Sequence, residues 1–396
     1  MNKLVVLMIT AFVDMVGLLM IIPLLPFYAK SMGGGGMVVA VLVVAFTVAQ
    51  LLSAPVWGRF SDRHGRRPAL LVGLGASALA YLVFAYADSI WLLLMSRLVQ
   101  GAGGGTVGVV QAYVADATEP ENRARSLGWL SAATNVGVAI GPVLGSLALV
   151  WGRAAPGLLA AALCLVNMLF AWRYLAESRD MVEAASAPRQ RPGASRAAVA
   201  RVLTQPGEPA HRLIWIYAIA MGAFNGMTAI LALFLAERYG VTERRIWIFF
   251  FYMGVISVIT RAGVLGWAVD RYGEARLSRY GLSLLAIGLG AMPLTHNYVA
   301  LALAVALVPL GTAFTFPCVT SLLSRVISSN ERGLYMGVQQ TFGGVARVII
   351  PLWAGFTWDH FGRGVPFWTS SVLVLGALIL NFGIPSTMPL PRPATS

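Results

Sequence analysis

Charged residues are scarce in this sequence, and their scarcity excludes an ordinary soluble domain. Only 11% of the 396 residues are Asp, Glu, Lys or Arg, whereas about 25% is usual in soluble globular domains. The chain is instead 58% hydrophobic, with a mean hydropathy of +0.75. This composition predicts a membrane protein.

Cysteine, histidine and phosphate-binding loops are also sparse. Cys164 and Cys318 both lie within apolar runs, where cysteine behaves as a small hydrophobic residue, so no disulfide framework or metal site is implied. The four histidines sit in loops or at helix ends without metal-ligand spacing. No GxxxxGK[ST] stretch is present, which disfavours an ATP-driven pump. We therefore expect no enzymatic activity, no metal and no cofactor.

A net charge of +13 raises the question of nucleic-acid binding. The basic residues, however, are scattered in short loops between apolar runs and never form a stripe with aromatic residues. We therefore predict no nucleic-acid partner. The lipid bilayer is the expected surrounding, and nothing in the sequence demands a protein partner, so we expect a monomer.

Twelve apolar stretches are long enough to cross a bilayer, for which about 20 residues suffice. The first could pass for a signal peptide, but it contains Asp14, Pro23 and Pro26 and lacks a cleavage site of small residues. The sequence thus predicts an all-α protein of twelve transmembrane helices, near residues 4–28, 37–58, 68–87, 90–114, 127–150, 156–175, 212–236, 246–267, 279–295, 298–324, 334–357 and 365–385.

The basic residues predict how the chain is oriented. If the N-terminus is cytoplasmic, most arginines fall in cytoplasmic loops, and the excess of positive charge on that side places both termini inside. We expect a bacterial inner membrane. The opposite side then holds only Lys30, Arg153, Arg238, Arg244, Arg245 and Arg363.

One loop differs from the others. Residues 176–210 are rich in Pro, Ala, Ser, Gly and Arg, which predicts an exposed cytoplasmic linker with one short surface helix. The linker separates an N-terminal half, residues 1–175, from a C-terminal half, residues 211–396. Each half contains six predicted helices.

The two halves repeat each other. In GRFSDRHG and, 208 residues later, GWAVDRYG, the shared residues are Gly58, Asp62, Arg63 and Gly65 and their counterparts Gly266, Asp270, Arg271 and Gly273. At an offset of 209, Arg123, Gly128 and Pro142 recur as Arg332, Gly337 and Pro351. Two anchors at nearly one offset indicate an internal duplication, a known plan among transporters.

The stretch GRFSDRHGRRP resembles the loop between helices 2 and 3 of the major facilitator superfamily, of the form G-x-x-x-D-R-x-G-R-R. Two further stretches, SRLVQGAGGG and GVAIGPVLG, resemble its twelve-helix drug:proton antiporter branch, which includes the tetracycline exporters. The resemblance spans essentially the whole chain and is strongest in residues 1–150. It implies the major facilitator fold, a small-molecule substrate, export, and a proton gradient as the driving force. The motif residues are Arg97, Gln100 and Gly101, then Gly137, Gly141, Pro142 and Gly145.

Four charges lie well inside the predicted spans, where each costs about 2.5–3.5 kcal/mol. They are Asp14, Arg97, Arg261 and Arg347. Asp14 and Arg97 would differ by only about 5 Å in depth and are predicted to pair. A carboxylate whose contact with arginine is made and broken can cycle a proton, so we predict that Asp14, Arg97 and Gln100 couple protons. The alternative is a permanent ion pair that only fixes helix packing.

The repeated loops predict a conformational latch. Gly58 and Gly65 permit a tight turn, while Asp62 can pair with arginine or cap a facing helix, expected near Arg332. The alternative is that the arginines only anchor the topology. Gly137, Gly141, Pro142 and Gly145 predict a hinge, or else a packing face. The predicted latch residues are Gly58, Asp62, Arg63, Gly65, Arg66, Arg67, Asp270, Arg271 and Arg332.

The substrate is expected to contact Phe224, Asn225, Arg261 and Arg347. The first two lie within an aromatic run in the middle of a predicted helix. The sequence as a whole predicts a secondary transporter that exports small amphiphilic compounds in exchange for protons. Because three arginines outnumber one aspartate inside the membrane, uptake or exchange of an anionic organic solute is the alternative. A passive channel or a sensor that does not transport is a third possibility.

Overall fold

The computed structural model describes residues 3–104, 107–118, 123–177, 194–328 and 331–384. Within these ranges all regular structure is helical and no strand occurs, which confirms the predicted all-α class. The α-helices are α1 (Lys3–Ile21), α2 (Leu25–Ser31), α3 (Gly36–His64), α4 (Arg66–Ala85), α5 (Ile90–Gly104), α6 (Val107–Ala117), α7 (Arg123–Ala148), α8 (Ala155–Tyr174), α9 (Ala194–Thr204), α10 (Pro209–Tyr239), α11 (Trp247–Ile259), α12 (Leu265–Tyr272), α13 (Glu274–Ala291), α14 (Tyr298–Val326), α15 (Arg332–Phe361) and α16 (Val365–Phe382).

Ten helices or continuous helical runs in the described ranges are long and apolar enough to cross a membrane. The fourth predicted span falls on α5 and α6, on either side of residues 105 and 106, which lie outside the described ranges. The eleventh falls on α15, which has 30 residues and carries Arg347. The arrangement is consistent with twelve transmembrane helices, a number that stays a prediction.

The backbone repeats where the sequence predicts a duplication. Gly65 and Gly273 end α3 and α12 with φ angles of +98° and +77°. Both angles lie in the region that glycine alone adopts without strain. Two more glycines have positive φ angles at matching places. Gly152 precedes α8 with a φ angle of +113°, and Gly362 precedes α16 with a φ angle of +112°. The two halves therefore share helix ends that the motif comparison alone does not reveal.

Packing divides the described chain into two units. Unit 1 contains the described residues up to 177 and also Leu231–Gly254, whereas unit 2 contains residues 194–230 and those from Val255 onward. Of the predicted linker, residues 178–193 lie outside the described ranges, and α9 is the short helix expected within it. The predicted division at 1–175, 176–210 and 211–396 stays a prediction.

The segment Leu231–Gly254 is held in unit 1 by contacts at several points. Lys30 forms an ion pair of 3.0 Å with Glu237. The Ser146 hydroxyl donates to the carbonyl oxygen of Glu243 at 3.1 Å. These contacts join the ends of α2 and α7 to a segment that is far away in sequence.

Small residues set the distance between α1 and α7 in unit 1. A Cβ atom placed on Gly137 would lie 2.8 Å from the carbonyl oxygen of Phe12, and one on Gly145 would overlap the backbone of Met20. Gly141 lies between these two glycines and faces the same helix. A Cβ atom placed on it would lie 2.8 Å from the carbonyl oxygen of Val16. The predicted hinge residues therefore form a packing face against α1, because only glycine lets two backbones approach this closely.

The structure corrects the reason given for Gly58. This residue lies inside α3 rather than in a turn, and no described atom lies within 4 Å of the position its Cβ would take. The tight turn falls at Gly65 alone, where a Cβ would also overlap the carboxylate of Glu177.

Alanine substitutions at three glycines separate backbone strain from overlap. Gly273→Ala should lower the free energy of unfolding by about 1–2 kcal/mol because of its positive φ angle. Gly65→Ala should cost more, since the overlap with Glu177 is added to the strain. Gly58→Ala, the matched control inside a helix, should be neutral or slightly stabilising. Thermal unfolding in detergent ranks the three variants, and equal stability of Gly65→Ala and Gly58→Ala would contradict the assignment of the turn.

Candidate functional site

Asp14, on α1, lines a cavity of about 170 Å³ in unit 1. The wall of the cavity also carries polar side chains from three helices, Thr10, Gln111, Ser131 and Thr134. The described residues provide neither a hydrogen bond nor an ion pair to the Asp14 carboxylate. The rest of the cavity wall is mostly apolar, and a carboxylate within a membrane segment is rare and commonly functional.

Arg97 lies on α5 with only 2% of its surface exposed. Its guanidinium group is 5.4 Å from the ring centre of Phe46, within cation–π range. Its Nε and one terminal nitrogen are buried and find no hydrogen-bond acceptor among the described residues. Gln100, one turn later, donates a hydrogen bond of 2.6 Å to the hydroxyl of Tyr81. The arginine is therefore buried, charged and only partly satisfied.

The predicted ion pair between Asp14 and Arg97 is wrong for this structure. No salt bridge within 4 Å joins them, and the buried phenol of Tyr81 interacts electrostatically with both instead. Its hydroxyl oxygen also lies 3.2 Å from the position a Cβ on Gly17 would take, one turn from Asp14. Tyr81 thus links α1, α4 and α5. A tyrosine in the middle of an apolar run is the signal for it, because a buried hydroxyl needs a partner.

The arginine-rich junction of α3 and α4, where Gly65 alone is not helical, is held by Glu177. This carboxylate accepts the backbone N–H groups of Arg66 and Arg67 at 2.9 and 3.1 Å, so it caps the start of α4. The side chain of Arg66 donates to Asp62 at 3.1 Å. Nothing in the loop motif predicts Glu177, which lies 110 residues away from Arg67.

Two further hydrogen bonds fasten the chain around Glu177. The guanidinium group of Arg67 donates to the carbonyl oxygen of Trp172. The hydroxyl of Tyr113 donates to the carbonyl oxygen of Ala176. The start of α4, the end of α8 and the residues that follow α8 up to Glu177 therefore form one hydrogen-bond network. We call this network the Glu177 clamp. It consists of Arg66, Arg67, Tyr113, Trp172, Ala176 and Glu177.

The repeated loop in unit 2 carries the opposite charge at the corresponding position. Glu274, the counterpart of Arg66 in the repeat, accepts from Arg325 at 2.9 Å and from Ser321 at 2.7 Å. Asp270 and Arg271 are exposed and make no ion pair within the described ranges. Arg332 donates to the Ser324 carbonyl oxygen at 3.0 Å. The second loop is thus stabilised by its own carboxylate.

Two arginines of unit 2 share a tyrosine as neighbour. Arg261 lies in a π-helical turn, Thr260–Val264, between α11 and α12, and Arg347 lies on α15. Both guanidinium groups are within electrostatic range of the Tyr217 phenol on α10. The described residues contain no acidic side chain that pairs with either arginine. We call Tyr217, Arg261 and Arg347 the arginine cluster.

Phe224 and Asn225 lie on the same helix as Tyr217, seven and eight residues later, and therefore on the same face. Asn225 donates to the carbonyl oxygen of Met221 at 2.8 Å. Its amide oxygen is the atom left to meet a ligand. The two residues extend the face of α10 that begins at Tyr217.

The sequence profile of the Major Facilitator Superfamily matches residues 7–351 and 262–395. The chain belongs to the Major Facilitator Superfamily. This confirms the family predicted from the loop motif, and it makes the chain an integral, multi-pass membrane protein of a transporter family rather than an enzyme.

Three similar proteins illustrate the family. Multidrug resistance protein 1 of Bacillus subtilis (strain 168) is 27% identical over 96% of this chain and 95% of its own length. The class C tetracycline resistance protein of Escherichia coli is 28% identical over 97% and 96%. The crystal structure of the human organic anion transporter MFSD10 (TETRAN) aligns with a TM-score of 0.70, at 24% identity over 96% of this chain and 99% of that one. The last similarity establishes the fold.

Substitutions at Glu177 test whether the clamp stabilises unit 1. Glu177→Ala should lower the free energy of unfolding by about 1–2 kcal/mol, because two N–H groups at the start of α4 lose their acceptor. Glu177→Gln keeps one acceptor oxygen and should lose less. Asp88→Ala, which removes an exposed carboxylate outside the clamp, is the control. Thermal unfolding in detergent measures all three, and a Glu177→Ala protein as stable as the control would contradict the clamp.

Proposed function

We propose that the protein is a secondary transporter that exports small amphiphilic compounds in exchange for protons. The observation that supports this most directly is Asp14, an acid within a membrane helix that lines a small cavity with four polar side chains and has no fixed partner among the described residues. Similarity to a multidrug and a tetracycline resistance protein supports the choice of substrates and the direction of transport.

The chemistry assigned to unit 1 is the binding and release of one proton. Asp14 takes up a proton when its cavity opens to one side of the membrane and releases it when the cavity opens to the other. Arg97 keeps its charge throughout and acts on Asp14 through Tyr81, which Gln100 orients. Protonation of Asp14 thereby changes the balance of charge between α1, α4 and α5, which favours one of the two states.

The latch is assigned to the loops at the cytoplasmic side. Asp62, Arg63, Arg66 and Arg67 belong to the first loop, and Asp270, Arg271 and Arg332 to its counterpart. Asp62 is assigned the charge that stabilises one closed state, while the Glu177 clamp keeps the first loop in place in both states. The glycines of α7 let α1 tilt without breaking its contact, which is the role proposed for Gly137, Gly141, Pro142 and Gly145.

The expected setting is a bacterial inner membrane with both termini in the cytoplasm and a monomer as the working unit. The bacterial relatives support the choice of membrane.

The second candidate function is uptake or exchange of an anionic organic solute, which the arginine cluster of unit 2 favours. Flux measurements distinguish these two transport functions from the remaining alternatives. A passive channel shows no exchange of one solute for another, and a sensor shows no flux at all.

Asp14→Asn should abolish proton exchange while the protein remains folded. Asparagine can still form hydrogen bonds but cannot carry a proton, and no ion pair to a described residue is broken. The assay uses proteoliposomes with an acidic lumen that contains pyranine. Two permanently charged probes are added outside, the sulfonate dansyl-taurine and the quaternary amine dansylcholine.

In that assay the wild-type lumen should become alkaline on addition of a transported probe, and Asp14→Asn should match liposomes without protein. Asp88→Asn, which removes an exposed carboxylate, should behave as the wild type. Full proton exchange by a well-folded Asp14→Asn protein would eliminate the proton site. Absence of exchange by the wild type with both probes would count against proton-coupled export of such compounds.

Asp62→Asn should leave the protein inserted but shift it away from its outward-open state, because the proposed latch loses its charge. Single cysteines placed along the cytoplasmic cavity report the shift as faster reaction with a thiol reagent. Asp88→Asn again controls for loss of a surface charge. Labelling rates equal to those of the wild type would show that Asp62 only anchors the loop.

A further inference from the structure

We propose that the arginine cluster of unit 2 binds the anionic group of the substrate, so that the exported compounds are amphiphiles that carry a carboxylate, sulfonate or similar oxyanion. This inference rests on the proposed transport of small amphiphilic compounds and names their charge. The ligand group would be received by Arg261, Arg347 and Tyr217 together.

The first observation is an uncompensated charge. Arg261 lies in a helical run long and apolar enough to cross a membrane, Arg347 lies on α15, where the sequence predicts the eleventh span, and neither forms an ion pair with a described residue. An arginine within the membrane is rare and normally faces a partner or a water-filled cavity. Two arginines that share a phenol in place of an acid leave room for a negative charge, which an oxyanion can supply.

The second observation is that Arg261 has a buried donor without an acceptor. It lies in the π-helical turn Thr260–Val264, and its Nε is buried without a hydrogen-bond acceptor in the described ranges. Such turns are rare and often occur at functional sites. An oxygen atom of the ligand would satisfy this N–H group, and a guanidinium group can bind two oxygens of an oxyanion in parallel.

The third observation concerns how Arg347 and Tyr217 are positioned. The Nε of Arg347 donates to the Gly343 carbonyl oxygen at 3.3 Å, and a Cβ on Gly343 would lie 2.8 Å from the Tyr217 ring. Gln340 donates to the Tyr217 hydroxyl at 3.3 Å. Three residues over about two turns of α15 therefore fix the phenol and the arginine relative to each other.

Aromatic rings lie beside the charged group. The ring of Phe316 on α14 lies 5.5 Å from that of Tyr217. Phe224 continues the same face of α10 about 10 Å further along the helix. An aromatic compound with one oxyanion matches this combination of two arginines and aromatic rings, whereas a quaternary amine would place a third positive charge among the arginines.

Equilibrium binding in detergent tests the inference without any gradient. Dansyl-taurine and dansylcholine share one aromatic body and differ in charge, and dansyl fluorescence reports their binding. The wild type should bind dansyl-taurine at least tenfold more tightly than dansylcholine. Arg261→Gln and Arg347→Gln should each weaken the binding of dansyl-taurine at least tenfold and leave dansylcholine unchanged or bound more tightly.

Arg276→Gln is the matched control, because it removes an exposed arginine of the same unit; it should bind both probes as the wild type does. Arg347→Lys retains the charge but loses the paired donors, and it should fall between wild type and Arg347→Gln. Unfolding temperature adds a second measurement. Since no ion pair is broken, Arg347→Gln alone should be at least as stable as the wild type, and dansyl-taurine should stabilise only the wild type and the control.

Each outcome decides the inference. Unchanged binding of dansyl-taurine by both glutamine variants would overturn it, as would tighter binding of dansylcholine than of dansyl-taurine by the wild type. A large loss of stability in both variants without ligand would assign the arginines a structural role instead. If dansyl-taurine binds as expected but drives no proton movement in the proteoliposomes, the binding site stands and the proposed export fails.

Discussion

The cost of a polar group in hydrocarbon governs this protein. The bilayer offers no water to unpaired N–H, C=O or charged groups, so the backbone must satisfy itself in helices, and a charge survives inside only where a cavity or a partner receives it. The described chain obeys the first demand with helices throughout. It meets the second in an unusual way, since its interior acid and arginines are not joined in ion pairs.

The interior charges without ion pairs have different surroundings in the two units. In unit 1 an acid lines a small cavity and Tyr81 interacts with both Asp14 and Arg97, and we propose that this arrangement serves a charge that appears and disappears. In unit 2 two permanent charges lie near one phenol, and the ligand proposed for them brings the opposite charge. A permanent ion pair would have left neither charged group free to change its partner.

The sequence predicted what depends on one helix at a time. Apolar length, the position of Gly65 and its repeat at Gly273, and the family motif are all local properties, and they led to the correct fold class. What depends on the meeting of distant helices was not predictable. Tyr81 replaces a direct pair between Asp14 and Arg97 because their equal depth says nothing about which side chains lie between them. Glu177 caps α4 from far along the chain, and the π-helical turn at Arg261 has no sequence signature.

The placement of Leu231–Gly254 has a consequence for how the chain could be divided. This segment packs in unit 1 but is covalently continuous with the helices of unit 2. A chain split within residues 178–193 would leave Glu177 with α4 in one fragment and Glu274 with Arg325 in the other, so each loop keeps its own carboxylate. The second fragment would also carry Glu237, the partner of Lys30 in the first. The two fragments therefore share the contacts that Leu231–Gly254 makes in unit 1, and we expect that separately expressed halves would need these contacts in order to complement each other.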